Sequence, residues 1–150
     1  MKSALKTGFL LSISWIFCLI TPGKAEDGAL STLEIEANGH FYTVELAISP
    51  EQRRRGLMYR TGLDRNRGML LVYQQTGNHR IWMKNMQIAL QIYWLDSDFR
   101  VIGQRRVEPC SKDPCPIYGV SNPSRYILEL SDNEHDLSIG DRITGLNVLP

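Results

Sequence analysis

The sequence is poor in cysteine and histidine, with three of each in 150 residues. None of His40, His79 and His135 stands in a spacing that makes a zinc site. There is no HExxH motif and no set of paired cysteines. A glycine-rich phosphate loop is missing too; Gly68 is a single glycine at a strand entrance, where a tight turn explains it. No nucleophile–base arrangement is visible in the chain order, although folding can assemble one from distant residues. Repeats, heptads and low-complexity tracts are absent, which excludes solenoids and coiled coils. Charge of one sign is not in excess: 17 Lys and Arg stand against 16 Asp and Glu. That balance argues against a nucleic-acid partner, which would need a basic surface. No apolar run reaches the roughly 20 residues that cross a bilayer.

What is present is ordinary for a globular protein. Hydrophobic residues make up 43% and charged residues 22%. A disordered chain would be poorer in the first and more unbalanced in charge. The length suits one domain and is short for two.

The first 25 residues stand apart. Lys2 and Lys6 precede an apolar run from Phe9 to Ile20, and Pro22-Gly23 breaks it. Gly23-Lys24-Ala25 then places small residues before an acidic Glu26-Asp27. These are the three regions of a secretory signal, expected to be cleaved near Ala25. The run is about 12 residues, too short for a membrane anchor. Cys18 lacks the small residue expected before a lipid-attachment cysteine. The expected product is a single domain over 26–150, periplasmic or secreted, with no membrane span. Losing Lys2, Lys6 and Lys24 leaves 14 basic and 16 acidic residues, a net charge of −2. It also leaves one cysteine pair, Cys110 and Cys115. In an oxidising compartment two close loop cysteines join, so a structural disulfide is expected. Redox chemistry prefers two intervening residues and a helix N-terminus; here four intervene and Pro114 and Pro116 flank Cys115.

Short strands fill the remainder. Leu33–Ala37 and Tyr42–Ile48 alternate around Asn38-Gly39, which predicts a hairpin with a type I′ turn. Ser49-Pro50-Glu51-Gln52 is a capping box with proline in the first turn, predicting a helix to about Arg60. Arg53, Arg54 and Arg55 read as its solvated face or, less simply, as an anion site. Met69–Tyr73 reads as a buried strand, Gln74–Asn78 as a turn and Ile81–Met83 as a short apolar segment. Gln91–Leu95, Arg100–Ile102, Arg125–Leu130 and Arg142–Leu146 read as further strands, with a proline-rich loop over 108–124. The expected class is mainly β: a half-open β-barrel or a sandwich with one short helix near residues 50–60.

Three segments carry a resemblance: Arg55-Gly56-Leu57-Met58-Tyr59-Arg60, Arg67-Gly68-Met69-Leu70-Leu71-Val72-Tyr73 and Trp82-Met83-Lys84-Asn85-Met86. With Arg125–Leu130 and Gly140-Asp141 they resemble the domain of unknown function 192 family, over about Leu33 to Val148. The resemblance implies a compact, mainly β fold with one short helix, often behind a signal peptide, and no established reaction. One departure is visible. Where the family usually reads Pro-Leu-Asp, this chain has Ala89-Leu90-Gln91, an amide in place of a carboxylate that could take up a proton.

The densest chemistry lies in His79–Met86. One reading is a ligand cleft: Trp82 offers a flat face for a sugar or aromatic ring, and Lys84, Asn85 and Arg60 supply directional contacts, with Gln91 at the rim. A second is a copper site of His79, Met83 and Met86, with Met58 or Met69 nearby. A third is that the Met and Trp residues fill the core. Trp82 and Met83 must face opposite ways on a strand, which counts against a ligand set using both. Glu129 points away from Leu128 and Leu130, and reads either as a buried partner of Arg60 or as a surface residue. The expectation is a cofactor-free binding domain for a small molecule, glycan or envelope protein, with site residues Arg60, Trp82, Lys84, Asn85, Gln91 and Glu129 and no catalytic residue. The alternatives are a hydrolase acting on an envelope glycan or peptide, and a periplasmic copper-binding protein.

Overall fold

The computed structural model describes residues 29–132, 137–147 and 149. The expected signal, its cleavage point and His135 lie outside them. β1 (Thr32–Ala37) and β2 (His40–Ala47) form the predicted hairpin, with Asn38 and Gly39 both at positive φ. Helix α1 (Pro50–Arg55) follows, then β3 (Arg67–Gly77), β4 (Ile81–Trp82), β5 (Leu90–Leu95), β6 (Val101–Val107), β7 (Ile117–Tyr118) and β8 (Ser124–Ser131). Six strands make one sheet in the order β1-β2-β3-β8-β5-β6, and β4 pairs β7 apart from it. β2 and β3 run parallel because α1 carries the chain back between them; the other pairs are antiparallel.

The fold is mainly β, as expected, and the sheet is open rather than closed. The C-terminal segment approaches closure: Arg142 bridges Arg100 before β6, and Thr144 bridges Glu36 on β1. Arg142–Leu146 therefore makes two single bridges at opposite sheet edges instead of the predicted strand.

The sheet is apolar on both faces. Ile35, Val44, Leu70, Tyr93, Leu128 and Leu130 pack on one, covered by Leu137, Ile143 and Leu146. Met69, Leu71, Ile92, Trp94 and Ile127 pack on the other, covered by Leu57, Met83 and Met86. Central strands sandwiched this way read as apolar runs. β5 shows it, with six buried residues in succession.

Several boundaries differ from expectation. The capping box forms as read, Ser49 accepting from the Gln52 amide while the Gln52 side chain accepts from the Ser49 amide. The helix ends at Arg55, however, because Gly56 turns to φ 49° and its amide closes on Gln52. Gly56, Met58, Tyr59 and Arg60 consequently line a cleft, while Leu57 between them packs in the core. Arg53 is not simply solvated: it donates to the Val72 carbonyl at 2.9 Å and lies over the Tyr73 ring. β3 continues through the predicted turn to Gly77, with an irregularity between Val72 and Gly77. The 108–124 loop contains β7, and its Cys110–Cys115 disulfide is formed. Among the described residues no helix is long and apolar enough to cross a membrane.

Candidate functional site

Two chain segments face each other across an open cleft of about 1010 Å³. One leaves the helix and carries Arg54, Arg55, Gly56, Met58, Tyr59 and Arg60; the other carries Trp82, Lys84 and Asn85. Glu45 from β2, Glu51 and Gln52 from α1, and Ala29, Leu30 and Ser49 complete the lining. The Tyr59 amide donates to the Asn85 carbonyl, tying the two segments together, and both residues have left-handed backbone.

Trp82 is 44% exposed whereas Met83 is 2% exposed. The strand alternation predicted from their adjacency holds, and Trp82 is not a core residue. Its neighbour Lys84 lies over the ring at 5.9 Å and pairs with Asp113 at 3.0 Å. Asp113 belongs to the disulfide loop, and the Cys110 amide donates to the Met83 carbonyl. The stapled loop thus buttresses the wall that carries Trp82.

Arg60 does not pair with Glu129. Its two terminal nitrogens meet the two oxygens of Glu45 at 2.6 and 2.7 Å, a fork-on-carboxylate pair. Those bonds hold the Glu45 carboxyl below its ordinary value, against the opposing effect of desolvation. Glu129 is the reverse case. It sits in the middle of the sheet between Met69 and Ile92, 7% exposed. Burial pushes its carboxyl up to about 7, with Arg60 pulling the other way through space.

The structure separates other residues that were read together. Gln91 does not stand at the cleft rim. It lies on the opposite face of β5 from Ile92 and Trp94, buried, with its amide 3.5 Å from Gln104. The copper set is divided as well. The His79 ring stacks on Tyr73 at 3.6 Å with its Nε2 against the Gln75 carbonyl, while Met83 and Met86 pack in the core. Among the described residues no group of three or more His, Cys, Asp or Glu could hold a metal.

Sequence reasoning missed Tyr59 and Glu45, and gave Arg54 only as part of the alternative anion site on the helix. Tyr59 carried a signal, an aromatic three residues past the glycine that ends the helix. Glu45 carried none, because a lone acidic residue in an alternating strand reads as an ordinary surface position. Gly68 lies inside β3, paired with Val44 and Leu130, and not in the tight turn expected for it. A β-carbon there would stand 2.5 Å from the Glu129 carbonyl oxygen, so glycine lets β3 and β8 close up beside the buried carboxyl.

The cleft is built from two of the segments that carried the family resemblance, and the sequence pattern of that family, described as an uncharacterised ACR, matches residues 32–145. The chain belongs to the domain of unknown function 192 family. A crystal structure of a candidate transcription regulator from Sinorhizobium meliloti 1021 is similar, at 30% identity and a TM-score of 0.72, covering 79% of this chain and 97% of that one. A protein of unknown function from Novosphingobium aromaticivorans DSM 12444 shares the fold at 23% identity and a TM-score of 0.66, covering 76% of this chain and 85% of its own. No curated protein matches the chain. In this domain of unknown function 192 chain, Tyr59, Arg60, Trp82, Lys84 and Asn85 therefore form one surface, with Glu129 buried beneath Gly56.

Proposed function

We propose that the chain is an exported binding domain of the cell envelope that holds a small ring-bearing organic acid, sugar or aromatic, without transforming it. The observation that carries this reading is Trp82, 44% exposed inside a cleft of about 1010 Å³ between Arg54, Arg60, Lys84 and Asn85. A flat indole open to water beside directional polar groups suits stacking on a ring. Four cations line the cleft against the carboxylates Glu45 and Glu51, and Glu45 is already neutralised by Arg60. Lys84 is paired with Asp113, and the lining as a whole still carries more cations than carboxylates, which favours an anion.

Export is supported by the short apolar run behind Lys2 and Lys6 and by the joined Cys110 and Cys115, a bond suited to an oxidising compartment. The regulator description of the Sinorhizobium relative gains no support from the near-neutral charge of this chain.

Calorimetric titration with glucuronate and phenylacetate tests the reading. At least one should bind, and Trp82→Ala should weaken it about tenfold, the scale of one lost aromatic contact and its buried area. Unaltered affinity with only a lower melting temperature would return Trp82 to a structural role.

A further inference from the structure

Beneath helix α1, and open to the cleft, lies a smaller chamber of about 260 Å³. Leu57, Leu71, Ile81, Met83, Met86 and Leu90 supply its apolar wall. Arg53, Arg54, Arg55, Tyr73 and Arg80 line it too, and the one buried charged side chain among its walls is that of Glu129. Its Oε2 lies under the helix end, where a β-carbon on Gly56 would stand 3.6 Å away. None of the described residues hydrogen-bonds this carboxyl; only Arg60 acts on it, through space. Buried polar groups are almost always satisfied, and one that is not costs stability. Facing the chamber with no hydrogen bond from a described residue, the carboxyl is open to one from water or from a group bound there. Above it, Arg54 and Arg80 stand among the residues at the chamber mouth.

We propose that this chamber is a second binding site, which takes the apolar chain of a small organic acid and hydrogen-bonds a hydroxyl on that chain to the Glu129 carboxyl. The ligand's own carboxylate stays at the mouth, beside Arg54 and Arg80. A protonated carboxyl both donates and accepts, which matches a hydroxyl group. The arginine mouth selects an anionic head and repels a cationic one. The volume equals about nine water-sized groups, enough for a chain of about eight carbons. The chamber shares Arg54, Arg55, Gly56, Met58 and Trp82 with the cleft above, but the inference stands on Glu129, which the cleft does not include.

The test compares octanoate, 8-hydroxyoctanoate and 8-aminooctanoate by calorimetry on the whole chain. The hydroxy acid should bind about fivefold more tightly than octanoate, the scale of one net hydrogen bond. Glu129→Gln, which still donates and accepts, should keep that preference, and Glu129→Leu should remove it. Lys84→Ala borders only the cleft and should leave the preference unchanged, so loss of glucuronate or phenylacetate binding there separates the two sites. Equal affinity for the hydroxy acid and octanoate overturns the proposal, as does a preference that survives in Glu129→Leu or tighter binding of the amino acid. If the Leu variant does not fold, the comparison of the acids on the unaltered chain decides the matter alone.

Discussion

The Tyr59 amide donates to the Asn85 carbonyl at 2.9 Å, and the two residues hold left-handed backbone at φ 65° and φ 59°. Asn tolerates that region; Tyr does so at a cost of about 1–2 kcal/mol. Two such residues joined across one cleft mark a place where the surrounding structure imposes conformation. The strain aims the Tyr59 ring outward, 62% exposed, opposite Trp82.

Tyr59→Gly should therefore separate stability from binding. Glycine removes the left-handed penalty and adds back roughly 0.5–1 kcal/mol of unfolded-state entropy, a net gain of up to about 1.5 kcal/mol. Binding of the cleft ligand should fall, since the ring is lost. Chemical denaturation beside calorimetry checks both; a variant that is less stable yet binds normally would contradict this account of Tyr59.

Glu129 makes stability depend on pH with an unusual sign. Its folded value of about 7 lies above the ordinary 4.5. Between those values the folded chain keeps a proton that the unfolded chain has released. Its contribution is thus fullest below pH 4.5 and is lost as pH rises through about 7, by on the order of 3 kcal/mol. Glu129→Gln should flatten that decline and be the more stable protein at pH 8. Parallel curves for the two proteins between pH 4.5 and 7.5 would refute the assignment.

The Arg60–Glu45 pair is a third of the way exposed, with side-chain accessibilities of 35% and 26%. Its coupling in a double-mutant cycle with Arg60→Ala and Glu45→Ala should be about 1 kcal/mol, since solvent screens it. The Glu45 carboxyl is held low by Arg60, so the contribution is present above its ordinary 4.5 and fades as pH falls below it. A coupling near zero at pH 7 would mean the pair only positions Arg60.

Replacing Cys110 and Cys115 with serine opens a loop of five-residue separation. Chain-entropy arguments give a loss of about 2 kcal/mol for so short a loop. Because Asp113 in that loop holds Lys84, cleft binding should weaken as well. Thermal melting and calorimetry on the double variant measure the two effects; unchanged binding would show that the loop does not support the Trp82 wall.

The hairpin at Asn38-Gly39, the capping box at Ser49 and the facing of Trp82 against Met83 were determined by sequence alone. Each depends on residues near in the chain: turn chemistry, one helical turn, the two-residue period of a strand. The close pairing of Cys110 and Cys115 was legible for the same reason. The end of the helix was misread because Gly56 is tolerated inside a helical pattern and terminates one only when its backbone turns over. The partner of Arg60, the opposite facing of Gln91 and the burial of Glu129 were decided by tertiary structure. Glu129 carries no local mark of burial. It becomes enclosed because β3 and β5 flank β8 and Gly56 lies above its carboxyl, four segments distant in sequence. Local pattern fixes which way a side chain leaves its own strand; what it then meets depends on strand order, which here places β8 between β3 and β5.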